Sequence, residues 1–129
     1  MRLRYEDYLT MQRHVSAQAP LEACGLVAGH QGVSTAVFPI PNILHSPLRY
    51  RMDPQRQVEA LFAIERAGWE LMAIYHSHPM GPPVPSETDL AEAAYRVVYL
   101  IWAPVGHEWV VRGFYLHGYQ VREVPIRLE

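Results

Sequence analysis

Residues 69 to 76, TrpGluLeuMetAlaIleTyrHis, form a nearly continuous apolar run, and four prolines stand between positions 79 and 85 just beyond it. An apolar run of that length reads as a strand buried on both faces. Neither a strand nor a helix continues through HisProMetGlyProProValPro, residues 78 to 85, because proline cannot donate to a ladder and breaks a helix. The chain must therefore fold around a central strand that stops abruptly, and strand ends of this kind often carry chemistry.

The remaining sequence supplies partners for that strand. Tyr5 to Ala19 places Tyr5, Tyr8, Leu9 and Val15 on one side of a helical wheel, with Pro20 as its stop. CysGlyLeuValAlaGly at 24 to 29, a GlnGly turn at 31 and 32 and a β-rich stretch from Val33 to Ile40 read as a hairpin. Prolines 39, 41 and 47 make the following segment a loop, and Arg49 to Met52 is a short extended piece. Asp53 followed by Pro54 is a helix start, with Val58, Leu61, Phe62 and Ile64 as the apolar face and Gly68 as the end. A third helix begins at Ser86, and strands are expected at Arg96 to Ala103, Glu108 to Leu116 and Tyr119 to Leu128. The order αββαβαβββ predicts a mixed α/β fold, with residues 1–129 as a single domain.

Composition narrows the possibilities. With 129 residues, half of them hydrophobic and 19% charged, the chain reads as a globular domain rather than a disordered one. The longest apolar run, the nine residues Val97 to Val105, falls short of the roughly 18 needed to span a bilayer. The opening residues carry no apolar signal core, so a cytoplasmic location is expected. Cys24 is the only cysteine, so no internal disulfide forms, and packing or a metal must hold the fold. It reads as a small buried hydrophobe rather than a nucleophile. A formal charge of −2 argues against non-specific nucleic-acid binding. All eleven basic residues are arginine, so the chain offers no ε-amino group.

His76, His78, Ser86 and Asp89 form the informative cluster. Side chains two apart on an extended segment face the same way, so His76 and His78 converge on one point near the strand end. Asp89, eleven residues after His78, lies in the first turn of the next helix, where a proline-rich loop can fold it back. Two imidazoles and a carboxylate leave a fourth tetrahedral position open, as in catalytic rather than structural zinc sites. A His-Ser-His pair alone is more often a surface or core pair than a ligand set, and SerGluThrAsp alone is an ordinary capping box. Glu22 alone is a solvated turn carboxylate, and His14, His30, His45, His107 and His117 show no ligand spacing.

Together, GluAlaCysGlyLeu at 22 to 26, HisSerHisPro at 76 to 79 and ProSerGluThrAsp at 85 to 89 resemble the JAMM, or MPN-plus, metalloprotease family. That pattern is a glutamate upstream of His-x-His-Pro and Ser-x-x-Asp, and the proline-rich loop is most similar to small stand-alone prokaryotic members. The resemblance implies a JAMM-type, cytidine-deaminase-like mixed sheet and a Zn²⁺ ion held by His76, His78 and Asp89. It implies Glu22 as general base and Ser86 as donor to the developing oxyanion.

It further implies hydrolysis of an amide or isopeptide bond after the C-terminal tail of a ubiquitin-like or sulfur-carrier protein. The tail would add along Arg49–Met52, and the leaving group would be a lysine side chain or a terminal adduct such as cysteine. No nucleic acid and no membrane is expected as partner. Two alternatives remain at this level: a non-catalytic scaffold of the same fold, whose members usually lack the ligands, and a RadC-like metal-dependent protein linked to DNA processing. The GluAlaCysGlyLeu segment and acidic balance count against the second.

Overall fold

In the computed structural model, which describes residues 1–129, the apolar run becomes β4 (Glu70–Ser77), a central strand with partners on both sides. The chain order is β1 (Arg2–Leu3), α1 (Tyr5–Gln18), β2 (Cys24–His30), β3 (Val33–Ile40), α2 (Pro54–Arg66), β4, α3 (Glu87–Glu92), β5 (Val98–Val105), β6 (Glu108–His117), β7 (Gln120–Val124) and β8 (Arg127–Leu128). One eight-stranded sheet runs β7-β6-β5-β4-β2-β3-β1-β8. β4 is antiparallel to β2 and parallel to β5. The parallel pair requires a crossover, and the prolines and α3 make it.

The two faces of β4 divide the core. Ile74 joins Cys24, Leu26, Tyr99 and Ile101 in a cluster closed by Ala60 and Ile64 of α2. Ala73 and Tyr75 point the other way, into Val27, Leu100, Trp102 and the Met11 and Val15 side chains of α1. Helices thus cover both faces, and Ala73 to Ser77 are buried throughout. The β2–β3 hairpin turns at Gln31 and Gly32, whose φ angles of 52° and 81° suit the primed turn that strand twist favours.

Several expectations need correction. The buried side of α1 is Asp7, Met11 and Val15, while Tyr5 is exposed. Asp7 is tolerated because Ser34 Oγ donates to it at 2.6 Å and Arg4 Nε at 2.9 Å. In α2, Ala60 and Ile64 face the core whereas Val58 and Phe62 are exposed. The expected strand Tyr119 to Leu128 breaks at Pro125, which lacks the ladder donor; its last part, β8, crosses to pair with β1 at the opposite sheet edge. Arg49 to Met52 forms no strand, only a bridge from Met52 to Asn42.

Candidate metal centre

β4 delivers His76 and Ser77 to the sheet end, and His78 follows at the first residue beyond it. Ser77 turns away from the two histidines and is fully buried. Its N–H donates to the Ala23 carbonyl at 3.0 Å and its Oγ accepts from the Ala23 N–H at 2.8 Å. That two-way clasp fixes Glu22 and Ala23 beside the end of β4. His78 is held by its own N–H, which donates to the Trp102 carbonyl at 2.7 Å.

α3 supplies the third side chain. Ser86 is its N-cap: Ser86 Oγ accepts from Asp89 N–H at 3.1 Å and Asp89 Oδ2 accepts from Ser86 N–H at 2.9 Å. This complete capping box points the Asp89 carboxylate back at the histidines. Asp89 Oδ1 stands 3.1 Å from His76 Nε2, Asp89 Oδ2 stands 3.1 Å from His78 Nε2, and the two Nε2 atoms are 3.0 Å apart.

Zinc bonds of about 2.0–2.1 Å to nitrogen and oxygen put tetrahedral ligand atoms about 3.3 Å from one another, so the donor set fits that ion. Tautomer supports the fit: His78 Nδ1 lies 2.9 Å from the Pro82 carbonyl and donates to it, which turns the Nε2 lone pair toward the cluster. His76 Nδ1 is buried without a partner, and Tyr50 stacks on the same ring at 4.7 Å between centroids.

The electrostatics match a site built for a cation. Burial pushes His76 below its ordinary pKa against the pull of Asp89, which favours the neutral ring. Burial opposes the charge on His78 too, but the hydrogen bonds to Asp89 and the Pro82 carbonyl win and raise it. For Asp89, burial is outweighed by its contacts with the His76 and His78 rings and by the hydrogen bond from the Ser86 N–H, which together hold it far below the carboxylate range. Glu22 is 5% exposed, and burial raises its carboxyl from 4.5 to about 7, with His78 pulling it down and Asp89 pushing it up. A carboxyl poised near neutrality suits proton transfer.

Glu22, His78 and Ser86 line one cavity of about 230 Å³ with Leu48, Met80 and Val84. A second groove, of about 470 Å³, is lined by Arg49, Tyr50, Arg51, Glu92, Tyr95 and Tyr99, with Arg49 paired to Glu92 at 3.1 Å. Asn42, read in the sequence only as a loop residue, organises the segment between them. Its Nδ2 donates to the carbonyls of Glu22 and Arg49, both at 3.1 Å, and its Oδ1 accepts from the N–H groups of Leu44 and Arg51. Asn42, Tyr50 and Ser77 have no motif spacing to reveal them. Cys24 is fully buried, with its thiol pushed up to about 12 by burial and by Glu22. His14 is half-buried against the Tyr75 hydroxyl at 2.7 Å, and the other four histidines are exposed.

The family model for prokaryotic homologs of the JAB domain matches residues 6–115. The chain belongs to this prokaryotic JAB family. Among relatives in that family, a probable TtuB-protein conjugate cleaving protease of Thermus thermophilus is 47% identical over 104 residues, 80% of this chain and 67% of that protein. A desampylase of Haloferax volcanii is 39% identical, covering 85% of this chain and 80% of its own. A CysO-cysteine peptidase of Mycobacterium tuberculosis is 32% identical, covering 92% and 84%. The JAB fold is also that of a protein from Desulfitobacterium hafniense solved in solution, with a TM-score of 0.89 and 30% identity over 99% of this chain and 92% of that one. No helix of this JAB chain is long and apolar enough to cross a membrane.

Proposed function

We propose that this protein is a zinc-dependent hydrolase that cleaves an amide or isopeptide bond after the C-terminal tail of a ubiquitin-like or sulfur-carrier protein. The observation that carries the reading is the convergence of His76 Nε2, His78 Nε2 and the Asp89 carboxylate within about 3.1 Å of one another, with buried Glu22 on the same cavity as His78 and Ser86.

His76, His78 and Asp89 would hold the ion, which when bound would supply Lewis-acid polarisation of the scissile carbonyl and lower the pKa of water beside it. Glu22 takes a proton from the attacking water and delivers it to the departing amine, without which the amine is a poor leaving group. Ser86 keeps its cap, because Oγ acts there as an acceptor, and its O–H remains free to donate to the oxygen that gains charge. Such a donor is typically worth on the order of 10²–10³ in rate.

The tail is read as adding a strand along Arg49–Met52. The Arg49 carbonyl and the N–H and carbonyl of Arg51 are turned toward Asn42 and Ile43. The backbone N–H and carbonyl of Tyr50 take no part in these bonds, and Tyr50 lines the groove, where an extended peptide gains main-chain hydrogen bonds.

The test is Glu22→Gln in the purified protein. Zinc at one equivalent in both forms, with hydrolysis of a ubiquitin-like conjugate reduced at least 10³-fold in the variant, is expected. Full activity in the variant overturns Glu22 as base. Absence of zinc from the wild type, with no gain in stability on adding it, overturns the enzyme in favour of a scaffold.

A further inference from the structure

His76 has two ring nitrogens, and the site described above employs one of them. Its Nε2 stands 3.1 Å from Asp89 Oδ1 and 3.0 Å from His78 Nε2. A ring that offers its Nε2 lone pair to a cation carries its proton on Nδ1, and Nδ1 is buried with no protein partner. An unpaired buried donor is costly, and buried polar groups in folded proteins are paired with protein or with ordered water. We infer that Glu92 is a positioning residue for the metal centre: through one buried water it accepts the Nδ1 proton of His76 and so fixes the tautomer and orientation of that ligand. This rests on the zinc site proposed above and concerns the grip on the ion, not the bond that is cut.

The fold provides both the room and the carboxylate. A cavity of about 20 Å³ is lined by Tyr50, His76, Asp89, Glu92, Ala93 and Tyr99, which is room for one water molecule. Asp89 and Glu92 are three apart on α3, and residues at that spacing share a helix face. The turn that sends Asp89 to the histidines therefore brings Glu92 to the same cavity. Asp89 itself cannot take the Nδ1 proton, because its two oxygens are turned to the two Nε2 atoms.

The polar groups around the cavity complete the set. Tyr99 Oη accepts from the N–H groups of Ala94 and Tyr95, both at 3.1 Å, so its lone pairs are used and its O–H is left to donate. Glu92 Oε1 accepts from Arg49 Nη2 at 3.1 Å, which leaves Oε2 free. A water in the cavity accepts from His76 Nδ1–H and from the Tyr99 O–H and donates to Glu92 Oε2. Three such bonds are typical of a buried water. The Tyr50 ring, stacked on His76 at 4.7 Å between centroids, forms another wall. A carboxylate at the end of such a chain raises the basicity of the ligating nitrogen and holds the ring in place.

The experiment compares Glu92→Ala and Glu92→Gln with Glu87→Gln, which removes one negative charge from an exposed position of the same helix that does not line the cavity. Zinc affinity is read by chelator competition at about 0.5 M salt, where attraction between exposed charges is screened. The His76 Nδ1 proton is read by nitrogen-15 NMR of the imidazoles in the zinc-loaded protein. Glu92→Ala is expected to weaken zinc binding about tenfold and to speed exchange of the Nδ1 proton with solvent. Glu92→Gln, whose amide oxygen still accepts from the water, recovers most of the affinity, and Glu87→Gln stays within about twofold of the wild type. Affinity of Glu92→Ala within about twofold of the wild type, or equal losses in Glu92→Ala and Glu87→Gln, overturns the role of Glu92 and leaves the zinc site standing. A wild type that binds no zinc overturns the zinc site and the inference with it.

Discussion

Gly25 lies flat against the ring of Tyr75: a Cβ built on Gly25 would stand 2.4 Å from Tyr75 Cε1 and 2.6 Å from the Phe38 carbonyl oxygen. The ring crosses β2 only because no side chain stands there, and it ends at His14, 2.7 Å from the Tyr75 hydroxyl. Gly25→Ala is expected to cost about 2–3 kcal/mol in denaturant unfolding, as overpacking of a rigid core does. Combining it with Tyr75→Leu should recover part of that loss, a coupling that a double-mutant cycle measures.

Ser77→Ala leaves the buried Ala23 N–H without its acceptor. A loss of about 1–3 kcal/mol in stability is expected. Because Ala23 follows Glu22 directly, kcat should fall while zinc affinity, measured by chelator competition, stays within about threefold.

Glu22 gives the metal-free protein a characteristic pH dependence. The folded chain binds this proton with a pKa of about 7, against an ordinary value of 4.5. Between those pH values the folded state holds more protons than the unfolded state, so the contribution of this group to stability falls as pH rises through the window. Glu22→Gln, which cannot ionise, should therefore be more stable than the wild type at pH 8, by on the order of 2 kcal/mol, with the gap closing by pH 5. Denaturant unfolding in the presence of chelator reads both.

Tyr50 packs its ring on His76 at an interplanar angle of 26°. Tyr50→Ala is expected to weaken zinc affinity about tenfold, as loss of a partner that orients a ligand does, while Tyr50→Phe keeps the stack and stays within about twofold. Equal effects of the two substitutions would assign the role to the hydroxyl instead of the ring.

What the sequence disclosed followed the physics of each element. β4 was legible because an apolar run meeting four prolines has few alternatives, and the capping box at Ser86 because its residue types sit at fixed offsets. The pairing of His76 with His78 follows from strand periodicity. By contrast, β1 and β8 have two residues each, too short to show a period, and they exist because each finds the other at the sheet edge. Val58 and Phe62 misled because α2 carries more apolar positions than one face can bury, and only docking on the sheet selects Ala60 and Ile64. Ser77 and Asn42 act through hydrogen bonds to backbone far along the chain, which no local spacing encodes.

Asp89 belongs at once to the box that starts α3 and to the trio of side chains proposed to hold the ion. A six-residue helix has little cooperativity of its own, so whatever grips the Asp89 carboxylate also decides how firmly that wall of the site stands. Zinc scarcity in a cell would then do more than idle the catalyst: by mass action it would loosen the crossover itself, opening this segment to proteolysis and tying the lifetime of the enzyme to the local supply of the element.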